Sequence, residues 1–344
     1  MNFKYLLAMS VIAGAMISCD DESSSTGPAP IPASSSDFLI LPGSSSSDAG
    51  ILAGSSSSDV VLNASSSSDA GVLAGSSSSA TVVNPASSAG TQTSSGFPTL
   101  TEIDPTKAYT FYGCELTGTD HFTYGRFEAR MKMAAISGTV SSMFLNYDDS
   151  WRKGDEPWNE IDIEVLGKDP SKWQSNIITR YPDEEGGKEN KNITSESIHE
   201  YGFDATSEFH LYTIVWTPEY VAWEIDSVEV RRDTIGMEKA QVEFLTKEES
   251  LRFNLWASKT PSWTGKFTGI GLPIEQQIDY VRVYSYDAAT KGFTLLWQDD
   301  FDGDDIDPNH WSAGTWEMEN VEYRPENIKV SDGLVRIIMD YEAH

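Results

Sequence analysis

Cysteine is almost missing from this chain: Cys19 and Cys114 are the only two in 344 residues. Cys19 falls in a leader that export would remove or modify, which leaves Cys114 without a partner and the chain without a disulfide framework. Stability must then come from core burial. No histidine stands in a recognisable relation to Cys114, so it reads as a small buried residue rather than a nucleophile. Basic residues are scarce as well, 24 Lys and Arg against 53 Asp and Glu, for a formal net charge of −29. Only seven of the acids and one lysine fall in residues 1–100, so the imbalance belongs mainly to the remainder. Nucleic acid is excluded as a partner, because binding it needs a cationic face. An acidic surface favours solubility and is compatible with a neutral ligand such as a polysaccharide. The apolar stretch from Leu6 to Ile17 is too short to cross a bilayer.

Residues 1–19 combine Lys4, that apolar stretch and Ser18-Cys19, the make-up of a secretory signal. The ending "MISC" resembles a bacterial lipobox, in which the cysteine becomes the lipidated first residue of the mature chain. The expectation is an exported lipoprotein of the cell envelope or surface, touching membrane only through Cys19. Secretion or periplasmic release is the alternative. Residues 20–96 are Ser-rich, with serine blocks beginning at Ser34, Ser44, Ser55, Ser65 and Ser76 and no aromatic after Phe38. So little apolar mass cannot form a packed core, and the segment reads as a disordered tether.

Residues 97–344 look different. Short aromatic and β-branched runs recur between turn signals, among them "YGRFEARMKM", "HLYTIVWT", "YVAWEIDSVEVRR" and "IDYVRVYSY". Period-two alternation marks half-buried antiparallel strands, and the whole points to one all-β sandwich of two antiparallel sheets. "GMEKAQVEFLTKEE" is the one good helical candidate. All ten tryptophans lie between Trp151 and Trp316. About half are expected in the core and the rest on a platform for sugar rings, whose C–H faces stack on aromatics.

The sharpest motif is "NEIDIEVLG", residues 159–167. On a strand, Glu160, Asp162 and Glu164 share one face, while Ile161, Ile163 and Val165 point to the other. Like charges in a row repel, and no Lys or Arg interrupts them. Crowded carboxylates raise one another's pKa, so one can stay protonated beside an ionised neighbour. That pairing is what glycosidic cleavage needs. On a straight strand the outer two Cα atoms stand about 13 Å apart, so sheet curvature and inward-leaning side chains must bring the carboxyls closer.

"PWNEIDIEVLGKDPSKWQSNIIT" resembles the active-site strand of glycoside hydrolase family sixteen, with further likeness in "LRFNLWAS" and "FHLYTIVWTPEYVAWEIDSVEVRR". The uninterrupted E-x-D-x-E is closer to the lichenase branch, the endo-β-1,3-1,4-glucanases, than to laminarinase-like members. The resemblance implies a jelly-roll, concanavalin-like sandwich and a retaining endo-β-glucanase that needs no cofactor for catalysis, acting on β-glucan as a monomer. Residues 293–339 resemble the piece that ordinarily opens such a domain, so the domain is expected to be circularly permuted. By the resemblance, Glu160 is the nucleophile, Glu164 the general acid/base and Asp162 the assisting acid. Glu115, Phe144, Asn146, Trp158, Gln174, Asn176, Arg252, Asn254, Trp256, Trp263 and Trp316 stand at positions that line the sugar cleft. Structural calcium would take Asp279, Asp300 and the carbonyl of Gly333. The chain departs from the family pattern at Asn146, where a cleft tyrosine is usual. It also departs in the long acidic loop between Arg180 and Glu208, and after Trp316, where an Asp-Gly-Asn turn is missing. A glucan-binding sandwich without catalysis, and a transglycosylase or hydrolase of another β-glycan, remain the alternative readings.

Overall fold

The computed structural model describes residues 98–152, 156–180, 192–237 and 241–344. The leader, Cys19 and the serine-rich segment lie outside the described residues. The regular structure of those described is almost entirely strand, as the alternation requires. The strands β1 (Tyr109–Gly118), β2 (Gly125–Lys132), β3 (Thr139–Asn146), β4 (Trp158–Leu166) and β5 (Lys172–Arg180) open the order. One sheet runs from Trp311–Ala313 through β1, Ser250–Ala257, β3, β4 and β5 to Ser197–Glu200, antiparallel at each step. The other runs from Val228–Thr234 through Tyr220–Ile225, His210–Trp216 and β2 to the long strand Ile274–Asp287. That strand is flanked on its other edge by Gly292–Asp299 and Leu334–Ala343.

Apolar alternates of the two sheets meet in the core. Ile161, Ile163 and Val165 of β4 are completely buried, as are Phe253 and Leu255 of the neighbouring strand. From the opposite sheet, Trp223 donates its indole N–H to the backbone carbonyl of Asp162 at 2.9 Å, tying the acidic strand down from the core side. Of the ten tryptophans, Trp173, Trp216, Trp223, Trp256 and Trp311 are buried, half as expected, but the rest do not all form a platform: Trp297 packs on His310 and Trp311. Cys114 is also fully buried. The residue after β4 is Gly167, where a Cβ would lie 1.9 Å from the carbonyl oxygen of Ile136, in the turn before β3.

The helical expectation for "GMEKAQVEFLTKEE" is not met: its described part holds only a 3₁₀ turn, Val242–Phe244. Side chains from the sheet take the backbone groups that a helix would pair internally. Asn159 Oδ1 accepts from the N–H groups of Thr246 and Lys247 at 2.8 and 2.9 Å, and its Nδ2 donates to Phe244 O at 3.0 Å. Val242 and Leu245 are buried meanwhile. Tertiary hydrogen bonds and burial outweigh a weak local propensity.

Candidate active site

Antiparallel register sets the rows of the site. Ser142 and Gln174 flank Glu164, Phe144 and Asn176 flank Asp162, and Asn146 and Ile178 flank Glu160, from β3 and β5 respectively. Beyond β3, the strand Ser250–Ala257 sets Asn254 beside Ser142 and Arg252 beside Phe144, and Glu115 of β1 stands beside Asn254. Side chains opposite one another across strands share a face, so spacing of two along each chain becomes a continuous polar floor.

This floor lines a cleft of about 310 Å³ that contains all three acids. Of the residues expected around the sugar, Glu115, Phe144, Asn146, Trp158, Arg252, Asn254, Trp256 and Trp316 line it. Gln174 and Trp263 act from one step further out. The Gln174 amide donates to Glu164 Oε2 at 2.8 Å, and Trp263 Nε1 donates to Gln174 Oε1 at 3.2 Å. Asn176 is buried opposite Asp162, and its Oδ1 accepts from the Ser195 N–H at 3.0 Å. Five lining residues were not anticipated: Ser142, Asp148, Ser150, Trp151 and Met318. Ser142 could have been found, since it precedes Phe144 and Asn146 at the same period of two. The other four sit past strand ends or on a two-residue strand, where alternation says nothing.

The two outer acids have different surroundings. Glu160 Oε2 accepts from the Trp158 indole N–H and from Asn146 Nδ2 at 3.2 Å. Burial pushes Glu160 up to about 6, held back by Trp158, a hydrogen bond from Asp162 and the Arg252 cation. Glu164 is pushed up to about 8 by burial and then by the charge of Glu160, with Gln174 the one group pulling it down. Asp162 lies well above the usual carboxylate range through burial and the charges of its two neighbours. The charged form is therefore favoured at Glu160 over Glu164, while burial and the charges of both neighbours favour the protonated form of Asp162, which shares a hydrogen bond with Glu160. Arg252 reaches Glu115 Oε1 at 3.2 Å and Asp148 Oδ1 at 2.5 Å, which fixes it on the cleft floor.

Among the described residues, no three His, Cys, Asp or Glu side chains converge as a metal cluster. Of the calcium candidates, Asp300 and Gly333 are adjacent: a Cβ on Gly333 would stand 4.0 Å from the Asp300 carbonyl oxygen. Asp279 is instead ion-paired with Arg130 at 2.7 Å, and Asp300 Oδ2 accepts from Gln298 at 2.9 Å. The oxygen donors suit calcium in kind, but only part of the set is assembled.

The family described as "Glycosyl hydrolases family 16" matches residues 79–282. A β-glucanase of Fibrobacter succinogenes is 44% identical over 231 residues, covering 65% of this chain and 62% of that protein. The match therefore spans less than two thirds of that relative. A β-glucanase of Brevibacillus brevis is 33% identical over 192 residues, 55% of this chain and 67% of its own length. Among solved structures, Bacillus licheniformis β-glucanase aligns with a TM-score of 0.40 and 28% identity, over 49% of this chain and 69% of that one.

Proposed function

The chain belongs to glycosyl hydrolase family 16, and on that footing we propose that it is a retaining endo-β-glucanase acting on β-1,3-1,4-glucan. The observation that carries this reading is the placement of Glu160, Asp162 and Glu164 on one face of β4, within an aromatic-walled cleft, with Trp158 and Asn146 donating to Glu160 and Gln174 to Glu164. Glu160 attacks the anomeric carbon while Glu164 gives its proton to the departing glycosidic oxygen. Glu164, now ionised, takes a proton from water, which releases the glycosyl group from Glu160. Asp162 hydrogen-bonds Glu160 and limits the charge on the strand. Phe144, Trp158, Trp256 and Trp316 supply apolar faces for sugar rings, and Glu115, Asn254 and Arg252 supply polar edges. The β-glucanase names of the relatives support the substrate class.

Reducing-sugar release from barley β-glucan, lichenan, laminarin and xyloglucan, beside a Glu160→Gln control, tests the proposal. Release is expected from the first two, with the β-anomer appearing first by NMR. Binding without release, or release unchanged in the variant, would sink it.

Circular permutation belongs to the same proposal. Ala108 and His344 exchange backbone hydrogen bonds of 3.3 and 2.9 Å, with Tyr109 opposite Ala343, so a short turn could join them in an unpermuted relative. Export with lipid attachment at Cys19, as a monomer, rests on the leader sequence; loss of membrane association in Cys19→Ser tests the attachment, and sedimentation tests the monomer. Structural calcium at Asp279, Asp300 and Gly333 is supported by the Asp300–Gly333 proximity and requires Asp279 to turn from Arg130. A lower melting temperature in EDTA, restored by Ca²⁺, is the expected result; an unchanged one would remove calcium from the proposal.

A further inference from the structure

We propose that Arg180 is a positioning residue for the nucleophile: its guanidinium, held over the ring of Trp158, fixes that indole and strengthens its N–H bond to Glu160. The inference rests on the reading of Glu160 as nucleophile.

Arg180 ends β5 directly opposite Trp158 on β4. It is only 1% exposed, and among the described residues no carboxylate pairs with it. Its Nη2 donates to the carbonyl oxygens of Ser150 and Glu156, the latter at 3.4 Å, its Nη1 donates to Asn192 Oδ1 at 3.0 Å, and its Nε has no partner among the described residues. Its Cζ stands 5.2 Å from the centroid of Trp158. Burying a cation is expensive, and an apolar side chain would fill the same space at lower cost. What the charge adds is directional. A cation over an aromatic ring draws electron density from it, and the polarised indole N–H becomes a better donor to a carboxylate. The same guanidinium holds Ser150, whose carbonyl it binds and whose hydroxyl accepts from Asn159 N–H at 3.3 Å. Cleft wall, indole and β4 are thus pinned by one side chain.

The groups around Glu160 explain why this donor matters. Asp162 and then Glu164 follow it along its own strand, Glu115 acts on it from β1, and Glu249 lies just ahead of the strand that carries Arg252. Arg252 is the one cation in that set. A strong Trp158 N–H bond is the main other influence that keeps Glu160 ionised.

The test uses the full-length chain with ¹³C-carboxyl-labelled glutamate, followed by NMR titration. The Glu160 resonance is identified by its loss in Glu160→Gln. Arg180→Met is expected to raise the Glu160 midpoint by about half a pH unit or more, and the acid limb of the activity profile should move with it. Trp158→Phe should raise the midpoint as well, and adding Arg180→Met to Trp158→Phe should then change nothing further. Arg180→Lys keeps the charge but not the planar stacking, so a smaller upward movement is expected; it replaces Arg180→Met if thermal unfolding shows that variant is not folded. An unmoved midpoint in a folded Arg180 variant, or an equal Arg180 effect with and without Trp158→Phe, overturns the proposal. The titration needs no turnover, so a failure to hydrolyse glucan would refute the proposed function and leave this result readable.

Discussion

In Glu164→Gln the side chain keeps its shape and its Gln174 partner but can no longer ionise. In the folded protein, burial and the charge of Glu160 hold Glu164 near 8, against an ordinary value of 4.5. An acid whose pKa is raised by folding holds a proton that the unfolded chain releases, so its contribution to stability falls as pH rises from 4.5 to about 8. At about 1.4 kcal/mol per pH unit above that ordinary value, the cost at pH 7 is about 3 kcal/mol. Glu164→Gln should therefore be more stable than the parent at pH 7 by about that amount, and nearly equal to it at pH 4, where both states are protonated. Hydrolysis should fall by about 10² to 10⁴, the usual worth of a general acid. Urea denaturation at pH 4, 5.5, 7 and 8 measures the first quantity, and reducing-sugar release the second. A gain of the same size at pH 4 and pH 7, or a loss at pH 7, would refute the assignment of a forced proton to Glu164.

Further outcomes follow from the same geometry. The profile of kcat/KM against pH should be bell-shaped, rising near 6 as Glu160 ionises and falling near 8 as Glu164 loses its proton; a single limb, or an optimum outside that window, contradicts it. Asn146→Leu removes a 3.2 Å hydrogen bond to Glu160. It should move the acid limb upward and lower kcat/KM at pH 6 by about tenfold, from a charged hydrogen bond of about 1.5–3 kcal/mol; an unmoved limb would show that Asn146 does not influence the nucleophile. Cys114 is fully buried and its thiol is pushed up to about 12 by burial. In a Cys19→Ser background, thiol reagents should label Cys114 only on unfolding, and rapid labelling of the native protein would count against this.

Alternation made the strands and the acid triplet readable before any coordinates. Ile161, Ile163 and Val165 went to the core and Glu160, Asp162 and Glu164 to the cleft because a strand's side-chain period is two wherever it lies. Asp148, Trp151 and Met318 escaped that reading because they lie in or beside loops, where no period relates a residue to a face. The segment around Val242 misled for another reason. Its helical pattern is real, but Asn159, more than eighty residues earlier, claims its backbone.

The sequence by itself determined which carboxylates share a face, that the domain is built of strands, and that the cleft would be aromatic. These follow from spacing along one chain. Spacing does not separate the two Glu residues; the resemblance named their roles, and the surroundings that distinguish them appear only in three dimensions. Trp158, Asn146, Asp162 and Arg252 gather around Glu160, while among the described residues Gln174 is the group that favours the charged form of Glu164. Ionisation depends on burial and on donors from neighbouring strands, and register across the sheet, not distance along the chain, chooses those neighbours.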